Sequence, residues 1–189
     1  MDAKSRILSR IRHALKERPK ALLPEHPHPA FSQDPLELFL KRLTENGAEG
    51  HLVDKEGARK LLADLARGLP GAAYGKGVPD ALRLLPELPP EEAPLGVSRA
   101  LFAVAETGTV ALSSEDGRRA QLLPPVHLVL VEEEKVYPSL LEAFLDLKSL
   151  PSALGLHSGP SKSADIGQVM VKGVHGPGRL LVAVLQGTW

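Results

Sequence analysis

The chain has 189 residues, which fits one domain with a sizeable hydrophobic core and two only with strain. Lys and Arg number 23 and Asp and Glu 23, so there is no net charge and none of the basic excess that displaces counterions from a nucleic-acid backbone. Cysteine is absent, which excludes disulfides, thiolate nucleophiles, Cys-ligated zinc and a thiolate-held iron–sulfur cluster; redox chemistry would need an organic cofactor or a partner protein.

Residues 5–17 place Ile7, Leu8, Ile11, Ala14 and Leu15 on one helical face with basic residues opposite. This reads as a surface helix that packs on its own domain or on a partner protomer, with a membrane-surface helix as the weaker alternative. The segment lacks the uninterrupted apolar core of a signal peptide, and no run in the chain approaches membrane-spanning length. The expectation is a soluble, cytoplasmic protein without membrane insertion. Scarce Asn, Gln and Met, with Pro-rich loops, point by composition to a thermophile.

Pro19, Pro24, Pro27 and Pro29 block regular structure, so 18–33 is expected to be an extended arm. His26 and His28 within it lack the further ligands a metal site needs. The domain reading is therefore an N-terminal helix and arm over 1–33, then a single α/β domain over 34–189. A helix followed by such an arm leaves a homodimer open.

Asp34-Pro35 reads as a helix start and Asn46-Gly47 as its stop. A strand in AEGHLVD, a helix ending at Gly68 and a strand in AAYG follow, a β-α-β rhythm that predicts a parallel sheet. Residues 77–96 are Pro-rich and read as surface-wrapping chain. LFAVAETGTVALSS carries a strand on each side of Glu106-Thr107-Gly108-Thr109. QLLPPVHLVLVEE runs into a β-branched strand. YPSLLEAFLDLK is an amphipathic helix, SADIGQVMV reads as a short helix over 163–171, and RLLVAVLQ is the last strand.

Four stretches carry candidate chemistry. In GPSKSADIGQ, Ser161 or Ser163 can cap a helix, and Lys162 beside a helix N-terminus makes an anion cradle; Asp165 in the first turn competes with such an anion, so capping is the favoured reading. In GVHGPG, His175 between glycines is either an exposed turn residue or a positioned acid–base group. Glu106, at the end of a buried strand, is either a general base or a turn acceptor, the latter slightly favoured. His127 inside an apolar strand reads as a hydrogen-bonded core residue rather than a catalytic one. Neither H-E-x-x-H, G-x-S-x-G nor a P-loop pattern occurs, so a metal site, a serine hydrolase of the usual α/β kind and a P-loop NTPase lack support.

Taken in order, Ala105-Glu106-Thr107-Gly108-Thr109, Leu122-Leu123-Pro124-Pro125-Val126-His127, Gly159-Pro160-Ser161 through Ala164-Asp165-Ile166, and Gly173-Val174-His175-Gly176-Pro177 resemble the lactate-utilisation protein C family (LutC, the LUD domain). The resemblance implies a fold like that of the NagB/RpiA/CoA-transferase group, an open, mainly parallel α/β sheet with helices on both faces. It also implies oxidation of L-lactate to pyruvate together with iron–sulfur partner proteins, this chain holding no cofactor of its own. One departure is that Gly167-Gln168 follows Ile166 where the family often has Glu.

Ligands in open α/β sheets sit beyond the carboxyl ends of the strands. Glu106, Ser161, Lys162, Asp165 and His175 are expected to converge there on a small carboxylate, with Thr107, Gly108, Thr109 and His127 as further ligand-binding candidates. Lys162 and loop amides would face the acid, and the catalytic candidates Glu106 or His175 its hydroxyl. The alternative is a free-standing enzyme acting on an organic acid, a CoA ester or a sugar-phosphate-like substrate.

Overall fold

The computed structural model describes residues 2–16, 34–164 and 170–187; the Pro-rich arm and Asp165 lie outside the described residues. The chain divides into two units, 1–30 and 31–189. In the first, helix α1 (Ala3–Lys16) opens on Asp2, whose carboxylate accepts from Ser5 N at 2.7 Å. Ile7, Leu8, Ile11 and Leu15 lie exposed along it.

The second unit begins with α2 (Pro35–Glu45), capped by Asp34, which accepts from Leu36 N at 2.8 Å, and stopped at Asn46-Gly47. Strand β1 (Glu49–Val53) leads into α3 (Lys55–Ala66), capped by Asp54 through Gly57 N at 2.8 Å. Then come β2 (Ala73–Tyr74), β3 (Leu95–Arg99), β4 (Phe102–Val104), β5 (Thr109–Ser113), α4 (Ser114–Leu122), β6 (Val126–Glu132), β7 (Val136–Tyr137), α5 (Leu140–Asp146), β8 (Leu154–His157), β9 (Lys162–Ser163), β10 (Val171–Lys172) and β11 (Arg179–Leu185).

The central sheet has the order β1-β11-β6-β3-β2, and every pair in it is parallel. The apolar runs of β6 and β11 fill its middle because both faces are covered. On one face Phe39 and Leu43 of α2 pack with Val129, Val131, Val182 and Val184. On the other, Ala58 and Leu62 of α3 pack with Leu128, Leu130, Leu181 and Leu185. The expected α/β architecture, with helices on both faces of a mainly parallel sheet, is the one observed.

A second sheet, β7-β4-β5-β8, holds the two strands expected around the Glu-Thr-Gly-Thr turn. They form an antiparallel hairpin, with Ala103 opposite Val110, rather than joining the central sheet. Alternation explains the placement. Ala103, Val110 and Leu112 face the α2 side of the central core, while Phe102, Val104 and Ala111 face Ala143 of α5.

Three elements lie where the sequence indicates none. β3 is only five residues long and follows the Pro-rich run, yet it is an inner strand with Leu95 and Val97 fully buried. α4 is polar and broken at Gly117 (φ 116°), so no apolar period marks it. β8 pairs with β5 at the sheet edge. The short helix expected over 163–171 is a correction: Val171 stands directly opposite Ser163 in an antiparallel ladder, whereas a helix of that length would separate its ends by about 12 Å. Among the described residues no helix is long and apolar enough to cross a membrane.

Candidate functional site

The turn from β4 to β5 rests on α2. Gly108 has φ 62°, and a Cβ there would come within 2.5 Å of Leu43 N, so only glycine lets the turn lie this close. Its neighbours form a hydroxyl chain, from Thr107 Oγ1 to Thr109 Oγ1 at 2.7 Å and on to Ser158 Oγ at 2.6 Å. Asn46 Nδ2 donates to Thr107 O at 2.8 Å, tying the turn to the end of α2.

Two sequence-derived candidates are engaged structurally. Glu106 Oε1 accepts from Leu140 N at 2.9 Å and so caps the first turn of α5. The Lys162 ammonium donates to Asn46 O, where a cation meets the carbonyl end of α2. With β9 extended at Lys162, the helix N-terminus that an anion cradle requires is not present at that residue.

His127 is fully buried, with Nε2 3.0 Å from Ser98 Oγ. Burial, reinforced by the neighbouring His157, pushes its pKa down to about 3, so the ring is neutral. It meets His157 edge to face at a centroid distance of 6.3 Å. Burial also lowers the pKa of His157, the last residue of β8.

Ser161 and His175 do come together. Ser161 N donates to Pro177 O at 2.8 Å, Gly173 N donates to Ser161 O at 2.9 Å, and His175 N donates to Ser161 Oγ at 3.3 Å. The two Gly-Pro loops are thereby zipped along one side of a cavity of about 180 Å³, lined by His157, Ser158, Ser161 and His175 with Leu122 and Leu180 as apolar walls. Thr109 reaches it through Ser158, and His127 stands behind His157. Each of the four sequence stretches thus supplies a wall of this cavity or the residue behind one.

The location corrects the sequence-based expectation. The cavity lies at the amino end of β11, beside Pro177 and Leu180, and not at the carboxyl ends of the parallel strands. His157 is a lining residue that sequence reasoning missed; the available signal was its position just before Ser158-Gly159-Pro160, at the end of an apolar alternation. Among the described residues no group of three or more His, Asp or Glu is placed to hold a metal ion.

A second concavity, about 490 Å³, does lie at the carboxyl ends of the parallel strands, lined by Lys76, Arg99, Glu115, Asp116, Glu132 and Lys135. Arg99 ends β3, Glu132 ends β6, and Lys76 follows β2. Buried Asp116 braces it, accepting from Gly77 N at 2.6 Å and Arg99 N at 3.4 Å. Arg99 pairs with Glu132, and Lys135 Nζ lies 3.3 Å from Asp146 Oδ2. None of these residues belongs to a motif in the sequence.

The LUD domain family model matches residues 91–185. Lactate utilization protein C of Halalkalibacterium halodurans is 35% identical over 105 residues, which cover 51% of this chain and 46% of that protein. The protein of the same name from Bacillus subtilis is 36% identical over 96 residues, covering 46% and 40%. The matches thus span less than half the length of these curated relatives. A crystal structure of a DUF162 family protein from Deinococcus radiodurans superposes with a TM-score of 0.62 at 21% identity, covering 80% of this chain and 96% of that one, and shares the fold. The family model covers the inner strands β3, β6 and β11 and all four motifs, and the chain belongs to the LUD domain family.

Proposed function

We propose that this chain is a cluster-free component of a lactate utilisation system, and that its motif-lined cavity receives a small hydroxy or keto acid. The observation that carries the reading is the meeting of distant segments around a space of about 180 Å³ with His157, His175, Ser158 and Ser161 on its walls. A three-carbon acid matches that size and chemistry. Hydroxyls and an imidazole give its carboxylate hydrogen bonds, and the neutral ring of His157 can accept from an α-hydroxyl. The names of the curated relatives support the biological setting.

Oxidation of L-lactate to pyruvate releases two electrons and two protons, and a chain without cysteine offers no thiolate-held cluster to take the electrons. The acceptor in this reading is an iron–sulfur partner protein, and the chain contributes binding and positioning. Titration calorimetry of the full chain with L-lactate and with pyruvate tests the site. Binding of at least one acid is expected, weakened about tenfold in His175→Ala, a change at an exposed position that leaves the fold intact. No heat with either acid, or unchanged affinity in both His175→Ala and His157→Ala, sinks the reading.

A further inference from the structure

We infer that the cleft at the carboxyl ends of β2, β3 and β6 is a second binding site, for an organic monocarboxylate that carries hydroxyl or amino donors at its far end. The lining sets three cations, Lys76, Arg99 and Lys135, against three carboxylates, Glu115, Asp116 and Glu132. Arg99 and Glu132 neutralise each other in an ion pair, Lys135 is paired with Asp146 outside the cleft lining, and Asp116 is committed to backbone N–H groups. Among the described residues, that leaves the exposed Lys76 ammonium and the exposed Glu115 carboxylate without a side-chain partner, one of each sign, on the walls of one space. A ligand with an anionic end and a donor end matches that pair.

The same geometry disfavours a phosphate. A phosphate cradle needs backbone N–H groups aimed at the ligand. Here Gly75 N donates to Val97 O at 2.8 Å, Lys76 N to Asp116 O at 2.8 Å and Gly77 N to Asp116 Oδ1 at 2.6 Å, so the loop has no amide to offer.

Size separates this occupant from lactate. The cleft holds about 490 Å³ against about 180 Å³ for the motif cavity, and no lining residue is common to both. It also continues past Leu101, Ser113 and Glu115 into an adjoining hollow of about 240 Å³ that adds Leu147 and Lys148. A longer carbon chain is accommodated along that path.

The test is calorimetric titration of the full chain at low salt with D-gluconate, whose donors are hydroxyls, and 5-aminopentanoate, whose donor is an ammonium at the end away from the carboxylate, with inorganic phosphate as the contrast. One of the two organic acids is expected to bind, and which one identifies the donor. Lys76→Ala, at an exposed position, should weaken it about tenfold without moving the melting temperature, while Lys60→Ala on α3 should change nothing. His175→Ala should leave this binding intact, which keeps the outcome separate from that of the lactate reading. The inference is overturned if neither acid binds below about 10 mM, if phosphate binds more tightly than both, if Lys76→Ala is silent, or if His175→Ala abolishes the binding.

Discussion

The cavity at the amino end of β11 and the cleft at the carboxyl ends of β2, β3 and β6 are built by different means. The cavity is walled by loops that bind each other through backbone groups, Ser161 to Pro177 and Gly173 to Ser161, and its polar side chains are hydroxyls and imidazoles. The cleft is walled by charged side chains carried on strand ends and held by one buried carboxylate, Asp116. Loop-built sites demand Gly, Pro and Ser at fixed spacings, and such spacings mark a sequence. A site made of charges from separate strands demands only that each residue stand at its strand's end. The first kind reads as a motif and the second emerges from the topology.

The largest expected effect is on the support of the cleft. Gly96 lies on the inner strand β3, and a Cβ there would come within 2.2 Å of the backbone oxygen of Ala120 on α4. Backbone cannot step aside as a side chain can, so Gly96→Ala must lift α4, which carries Glu115 and Asp116. A loss of about 3 kcal/mol is expected in urea unfolding. A loss below about 1 kcal/mol would mean that α4 is not wedged against the sheet and that the cleft is softer than its geometry.

The motif cavity has a pH signature in the histidine that stands behind its wall. His127 is neutral in the fold with a pKa near 3, against 6.5 when unfolded. The unfolded chain therefore takes up a proton first as pH falls, so this contribution to stability is complete above pH 6.5 and is lost progressively below it. From His127 alone, stability at pH 4.5 should lie about 2–3 kcal/mol below that at pH 7.5, and His127→Gln should flatten the curve. An unchanged pH profile in the variant would show that the ring is not desolvated as the structure has it.

Asp116→Ala comes next, at about 2 kcal/mol, because it removes a buried carboxylate and strips the partner from Gly77 N in a part-buried hydrogen bond. It sharpens the comparison, since the motif cavity shares no residue with Asp116 and its affinity for lactate should not move. Were lactate binding lost in Asp116→Ala while the protein stays folded, the two regions would have to be one coupled site.

How far the molecule was legible in its sequence follows the same division. α2 announced itself through Asp34-Pro35 and Asn46-Gly47, and β6 and β11 through apolar, Val- and Leu-rich runs, because capping chemistry and two-sided burial are local rules. β3 did not, since LGVSR is short and owes its place to β2 and β6 on either side. Ser161 and His175 were expected to meet because each stands on a turn beside a strand; they do meet, through hydrogen bonds between their loops, but at the opposite end of the sheet from the one expected. Lys76, Arg99 and Glu132 were not, because three positions far apart in the chain meet only when the parallel register is known. The 163–171 segment misled for the converse reason: Ser and Asp before an apolar pair imitate a helix start, yet its described ends pair as strands.

The smallest predicted effect concerns Glu106, where sequence chemistry leaves a base and a turn acceptor open. Its Oε1 is occupied by Leu140 N, at the start of a helix of seven residues. A helix that short depends heavily on its cap, because nucleation fixes several residues before hydrogen bonds compensate. Glu106→Ala should therefore cost about 1 kcal/mol of stability. Glu106→Gln, which keeps an acceptor oxygen, should restore most of that. Neither change should alter lactate affinity, since Glu106 lines neither concavity. If Glu106→Gln instead leaves stability intact and abolishes lactate turnover, the carboxylate is a base. The cap would then be incidental, and the motif cavity would have to extend to the β4–β5 turn.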